Sequence, residues 1–126
     1  MKTLPELTET AEKMQTFLEL KTDTDQEEAM IERMELLQVL IAKSGNCLAD
    51  AKFLQDNAIQ NACRQVLDDG EMYGQSTTFV NNFIKAAGKE FNYIVNWFDR
   101  INSAAAKQHQ GLITILSYRK EQMKML

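Results

Sequence analysis

The residues that could carry catalysis are few in this chain and lie far apart in the sequence. His109 is the single histidine, and a histidine acting as a general base needs an orienting partner and a nucleophile beside it. No serine or cysteine lies in a motif that would supply that nucleophile. We therefore interpret His109 as a partly buried, hydrogen-bonded side chain, and we predict no catalytic residues and no enzymatic activity.

The carboxylates and glycines likewise predict no metal site and no cofactor. Acids cluster in the segment 27–35 and are interpreted as a solvated helix face, with Glu27 and Glu28 in the first turn, where the helix dipole stabilises negative charge. A two-metal carboxylate site would need a Glu-x-x-His motif, but the residue three positions before His109 is Ala106. The glycines are scattered along the chain, and none forms a loop that could cradle a phosphate.

Two cysteines, Cys47 and Cys63, lie sixteen positions apart on what the pattern predicts to be one helix. Such a helix would hold them about 24 Å apart, too far for a disulfide. We interpret them as small buried apolar residues of a reducing compartment. Residues 1–12 lack the layout of a signal peptide, and no apolar run is long enough to span a bilayer. The sequence predicts a cytoplasmic protein without membrane contact.

Composition and charge favour a folded domain over a polyanion-binding one. Apolar residues make up 44% of the chain and charged residues 25%, with a net charge of −4. Nonspecific nucleic-acid binding depends on clustered Lys and Arg, so this balance argues against it. The basic segment 119–124 fits the C-terminus of a helix, where cations stabilise the helix dipole.

Helix signals dominate the pattern along the chain. Pro5 is the single proline, and apolar residues recur at spacings of three and four after it. Thr3 and Glu6 predict a capping box for a first helix over about 4–20, and Asp25 with Glu28 predicts a second capping box. We predict an all-α fold, an elongated antiparallel helical bundle that forms a single domain over residues 1–126.

Two long helices are predicted, over about 26–68 and 89–124, with a short helix over about 77–87 that Gly88 closes. Gly45 could also end a helix, but the apolar spacing passes through it and favours continuity. Residues 111–118 are rich in β-branched and aromatic side chains typical of strands, yet the helical spacing continues there as well. Since the first helix covers only part of the long pair, the rest must be covered by the short helix or by a second chain.

A surface for a protein partner is predicted where aromatic and amide side chains coincide with sparse charge. Segment 72–84 has no charged residue, and Lys107 is the single one between residues 101 and 118. Tyr93 and Trp97 are i,i+4 neighbours off the strict apolar seam. The predicted surface consists of Tyr93, Trp97, Asn92, Asn96, Phe79 and Met72. The alternative is that the aromatic residues fill an ordinary bundle core.

Two stretches carry a resemblance to known proteins. They are Leu48-Ala-Asp-Ala-Lys-Phe-Leu54 and Val95-Asn-Trp-Phe-Asp-Arg-Ile-Asn102, the second continuing to Leu116-Ser-Tyr-Arg-Lys-Glu-Gln-Met123. They resemble small helical proteins encoded in prophages and other mobile elements of Bacteroides-type gut bacteria. The resemblance implies a helical fold, a bacterial cytoplasm and a phage-like gene neighbourhood, and it implies no functional residues.

These features predict a non-enzymatic helical interaction protein that forms homo-oligomers and binds an unidentified protein partner. The alternative is an accessory factor in phage or plasmid DNA metabolism that contacts nucleic acid directly. That alternative requires five cations to converge on one face: Arg64, Lys107, Arg119, Lys120 and Lys124.

Overall fold

The computed structural model describes residues 1–70 and 74–125, and in these ranges the chain forms three α-helices and no strand. They are α1 (Leu4–Glu19), α2 (Glu27–Asp68) and α3 (Thr77–Lys124). The predicted all-α class is therefore confirmed. Within the same ranges, no helix has a stretch long and apolar enough to cross a membrane.

Helix α1 begins at the predicted cap. The Thr3 hydroxyl accepts a hydrogen bond from the Glu6 N–H at 3.5 Å, and Pro5 occupies the first turn, where its missing N–H costs nothing. The helix ends where the Leu20 N–H turns back to the Phe17 carbonyl at 3.1 Å. One face of α1 is buried, at positions spaced by three and four: Leu7, Ala11, Met14 and Leu18.

Helix α2 is continuous through Gly45, as the apolar spacing predicts. The seam residue Ser44 is fully buried, and its hydroxyl accepts a hydrogen bond from Asn102 Nδ2 at 2.9 Å. A small side chain at this position lets α3 approach closely. The predicted capping box at Asp25 is wrong, because the N-cap is Gln26, which makes no side-chain capping bond. The Asp25 N–H is instead donated to Asp23 Oδ1 at 3.0 Å.

Helix α3 runs unbroken from Thr77 to Lys124, so the separate helices predicted over 77–87 and 89–124 are wrong. Gly88 is buried against α2, and a Cβ built on it would lie 2.9 Å from Ile59 Cγ1 and Cδ1. A helical glycine costs only about 1 kcal/mol relative to alanine, so close packing outweighs its tendency to end a helix. Gln55 Nε2 also donates to the Gly88 carbonyl at 3.0 Å. Residues 111–118 are helical, as the spacing favours.

Contacts between α2 and α3 pair residues in opposite chain order. Gln55 bonds Gly88, Ser44 bonds Asn102, and Arg33 bonds Gln108. Helix α1 packs at one end of this pair and makes most of its contacts with α3. The best-buried side chains lie there, in a three-helix body: Leu7, Met30, Leu37, Ile94, Phe98 and Ile101. We call the other end, residues 52–68 of α2 and 77–92 of α3, the distal arm.

Candidate interaction surfaces

Tyr93 and Trp97 contact each other on α3, but they differ in exposure and in their contacts with α1. The rings of Tyr93 and Trp97 meet edge to face, with centroids 5.5 Å apart and an interplanar angle of 61°. Tyr93 is 66% exposed. Trp97 is half-buried against the core, and its Nε1–H points to Gln15 Oε1 of α1 at 3.5 Å. Trp97 therefore helps to hold α1 on α3, while Tyr93 faces solvent.

Of the other predicted surface residues, Asn92 and Asn96 lie beside this pair on α3, whereas Phe79 lies far from it. Asn92 and Asn96 are exposed, and Asn92 Oδ1 accepts a hydrogen bond from Gln55 of α2. Phe79 is 46% exposed but lies about 21 Å from Tyr93 along α3. Met72 lies outside the described residues. A partner-binding role for these side chains stays a prediction.

The distal arm is thin, because two helices pack there without the third. Of its described residues, only Ala62 and Gly88 are buried. Large apolar side chains along the arm are half-buried at best: Ile59, Val66, Val80, Phe83, Ile84 and Phe91. Phe53, Leu67 and Phe79 are exposed outright. The predicted need for a further covering layer therefore remains at this end, because α3 supplies no separate short helix.

A second apolar surface lies between α1 and α2, because α1 makes more of its contacts with α3 than with α2. It is a groove of about 560 Å³, which we call the α1–α2 groove. Its lining on α1 comprises Thr10, Lys13, Met14 and Phe17, with Lys2 just before the helix. Its lining on α2 comprises Leu36, Val39, Leu40, Lys43, Asn46, Cys47 and Asp50. The sequence pattern gave no sign of it, since neither wall departs from ordinary amphipathic spacing.

Cys47 lies in this groove and is 5% exposed. Lys2 Nζ is 3.1 Å from Thr10 Oγ1 and 3.9 Å from the Cys47 sulfur, and it donates to both. Burial raises the pKa of the Cys47 thiol, although the nearby Lys2 charge opposes that effect. Cys47 and Cys63 are both free thiols.

Arg33 is a buried cation that the sequence reasoning missed. It is 8% exposed and lies over the Phe17 ring at 4.1 Å. Its Nη2 donates to the Phe17 carbonyl at 3.0 Å and to Gln108 Oε1 at 3.1 Å, and burial lowers its pKa. Gln108 Nε2 in turn donates to the Leu18 carbonyl at 3.0 Å. The pair satisfies carbonyls at the C-terminus of α1 and joins all three helices there. The sequence does carry a signal for this buried cation: Arg33 lies on the apolar seam between Met30 and Leu37, where a charged residue is unexpected.

His109 lies on α3 within the three-helix body. It is half-buried, and its Nε2 is buried without a hydrogen-bond partner among the described residues. The predicted hydrogen bond is therefore not formed at that nitrogen. Residues 1–70 and 74–125 contain no group of three or more His, Cys, Asp or Glu side chains that could hold a metal ion.

The five cations required for nucleic-acid contact are spread over the molecule. Arg119 and Lys120 are sequence neighbours on α3 and point about 100° apart. The Arg119 guanidinium donates a hydrogen bond to the Thr24 carbonyl. Arg64 lies on the distal arm, at the opposite end of the helix pair from these two.

Comparison of the chain with known protein families, with curated proteins and with solved structures found no match. What the chain does must therefore be inferred from its own surfaces.

Proposed function

We propose that this chain is a non-enzymatic helical interaction protein that self-associates through its distal arm and binds a protein partner. The observation that carries the proposal is the thinness of the arm, in which Ala62 and Gly88 alone among the described residues are buried. The three-helix body, by contrast, buries a full set of large apolar side chains. An arm that leaves apolar side chains half-exposed gains free energy when a second arm covers it.

The size of the arm suits a small but specific interface. Its α2 portion has 17 residues, or about 25 Å of helix, and two helices side by side are about 20 Å wide. One face of the arm therefore offers about 500 Å², and two copies would bury about 1,000 Å² in total. That area lies at the lower limit for a specific interface, so we expect a dimer of micromolar affinity. Two paired arms would form an antiparallel four-helix arrangement.

The uncharged tip of the arm supports an interface there. No residue between 74 and 84 carries a formal charge, so little desolvation opposes burial at the tip of the arm. The second weakly charged stretch, 101–118, differs because it contributes Ala105 and Leu112 to the core and lies where α3 contacts both α1 and α2. The bundle itself accounts for its low charge.

A protein partner is favoured over a nucleic acid by the distribution of cations. The chain carries a net charge of −4, and Arg64 is separated from the cations of the α3 C-terminus by most of the length of the helix pair. A cytoplasmic location and a mobile-element origin remain predictions from the sequence.

The test is the molar mass in solution, measured by size-exclusion chromatography with light scattering across a concentration series. We expect a dimer that dissociates on dilution through the micromolar range. The exposed arm residues Phe53 and Phe79 should matter, so Phe53→Ser and Phe79→Ser, singly and together, should shift the equilibrium to monomer. Tyr118→Ser removes a still more exposed aromatic outside the arm and should leave the mass unchanged. A strict monomer at 100 µM would contradict the proposal.

A further inference from the structure

We propose that the α1–α2 groove binds an acidic amphipathic α-helix of a different protein. The inference names the class of partner and rests on the proposed function for its premise that the chain acts by binding. It uses a surface separate from the distal arm, so the two can fail independently.

The shape of the groove suits a helix. Its α2 wall runs from Leu36 to Asp50, about 21 Å or four helical turns. On both walls the lining positions recur at three and four residues, the spacing that accepts the ridge of a neighbouring helix. A helix laid in the groove would become the fourth helix of the body and would complete a four-helix bundle.

The lining combines a buried floor with exposed apolar walls. Met14, Leu40 and Cys47 form the floor, and each is at most 8% exposed. Leu36 and Val39 rise beside them and are 47% and 51% exposed. Apolar side chains that stand open above a packed floor are the arrangement by which grooves receive the apolar face of an amphipathic helix.

The charges that line the groove indicate the charge of its partner. The lining includes three lysines, Lys2, Lys13 and Lys43, against one acid, Asp50, an excess of about two positive charges that falls to about one when Glu9, the partner of Lys13, is counted. Lys13 pairs with Glu9 at 3.3 Å, but that pair is exposed and contributes little. A helix with carboxylates flanking its apolar face would therefore be complementary to the rim.

The same charges argue against a second copy of this chain in the groove. A twofold contact places the same patch on both partners, so groove against groove would set the lysines of one copy opposite the lysines of the other. Like charges placed opposite each other across an interface cost free energy. Groove-on-groove pairing is therefore disfavoured, and self-association is already assigned to the distal arm, so we assign the groove to a helix of another protein.

The test uses a displayed library of helical peptides of about 18 residues, each about 27 Å long. The library varies the apolar face and allows Glu, Lys or Gln at the flanking positions. Selection is made against the full chain. We expect binders with apolar residues at i, i+3, i+4 and i+7 and with Glu enriched over Lys at the flanks. Affinities of the selected peptides are then measured by fluorescence anisotropy at two salt concentrations.

Variants of the chain locate the binding site. Val39→Asp and the charge reversal Lys13→Glu/Lys43→Glu should each weaken the selected acidic peptides by about tenfold or more. The reversal should also select Lys-flanked peptides when the library is screened again. The matched control, Lys107→Glu/Lys120→Glu, reverses two exposed lysines of α3 outside the groove and should change affinity by less than about threefold at moderate salt. Circular dichroism checks that each variant is folded.

Three results would overturn the inference: no enriched binder, binders with basic flanks, or affinities that the groove variants leave unchanged. Light scattering on the same samples separates this outcome from the proposed function. A dimer without groove binders would reject the groove and leave the arm proposal standing. A groove variant that turned the dimer into a monomer would show that a second copy occupies the groove.

Discussion

Because α2 and α3 approach closely at Gly88, we predict that the effect of Gly88→Ala on stability changes sign with the neighbouring side chain of Ile59. Gly88 is helical, and no described glycine has a positive φ, so the backbone there accepts any L residue. Replacing a helical glycine with alanine ordinarily stabilises a protein by about 1 kcal/mol. At Gly88, however, the new Cβ would lie 2.9 Å from two carbons of Ile59, well inside an ordinary contact. Both carbons would have to move.

The crowding of Ile59 opposes the gain in helix propensity from Gly88→Ala. Overpacking of this kind costs about 1–3 kcal/mol, so Gly88→Ala should destabilise the chain by about 0–2 kcal/mol after the gain in helix propensity. Ile59→Ala removes both crowding carbons. In that background Gly88→Ala should stabilise by about 1 kcal/mol, because the propensity gain is then unopposed. The coupling energy between the two positions is therefore about 1–3 kcal/mol.

Urea unfolding followed by circular dichroism measures this cycle, with all variants at one protein concentration because self-association would shift apparent stability. Gly111→Ala is the matched control. Beyond the neighbouring backbone of its own helix, a Cβ at Gly111 meets nothing within 4 Å, so the change should stabilise by about 1 kcal/mol in either background. A Gly88→Ala that stabilised the wild-type chain as much as it stabilised Ile59→Ala would refute the close approach.

Three further predictions concern the body. Arg33→Met removes one hydrogen bond to the Phe17 carbonyl of α1 and one to Gln108 of α3, and it should lower the free energy of urea unfolding by about 2 kcal/mol; a change below about 0.5 kcal/mol would count against a role of Arg33 in joining the helices. Asn102→Ala leaves the buried Ser44 hydroxyl without its donor and should lower the free energy of urea unfolding by about 1 kcal/mol. An unchanged free energy of unfolding would mean that this hydrogen bond does not stabilise the fold. Cys47 should react with iodoacetamide more slowly than Cys63 at pH 7 and should speed up as the pH rises, because burial shields it and raises its pKa; equal rates by mass spectrometry would show that the groove is open to the sulfur.

The sequence was sufficient for the helical class and most helix bounds, because capping and spacing are local properties. Thr3 marks the start of α1, and the apolar spacing carries α2 through Gly45. The helix end predicted at Gly88 was wrong for a physical reason. A glycine that ends a helix and a glycine that lets two helices touch have the same residue type, and only the position of Ile59 distinguishes them.

The surfaces were less accessible to sequence reasoning. The edge-to-face pair of Tyr93 and Trp97 follows from i,i+4 spacing on one helix, a local property. The α1–α2 groove depends on α1 making more of its contacts with α3 than with α2, and the hydrogen bond from Trp97 to Gln15 on that side spans 82 residues of sequence. No local pattern encodes such long-range packing. The unpartnered arm was foreseeable from helix lengths alone, because α1 is too short to cover the long pair.

The two proposed surfaces can act together. The groove ends at Asp50 on α2 and the distal arm begins at residue 52, so the two surfaces share no residue. A dimer joined at its arms would present two grooves. A partner carrying two suitable helices would then gain affinity from simultaneous binding, provided that its linker spans the separation.

The measurement that bears most directly on the central claim is the molar mass of the full chain by light scattering from 1 to 100 µM, run beside Phe53→Ser/Phe79→Ser and Tyr118→Ser. If the distal arm is an interface, the wild-type chain and Tyr118→Ser approach twice the 14.4 kDa chain mass as concentration rises, while the double variant stays near 14.4 kDa. A wild-type chain that remains at 14.4 kDa throughout, or a double variant that dimerises as readily as the wild type, would contradict it.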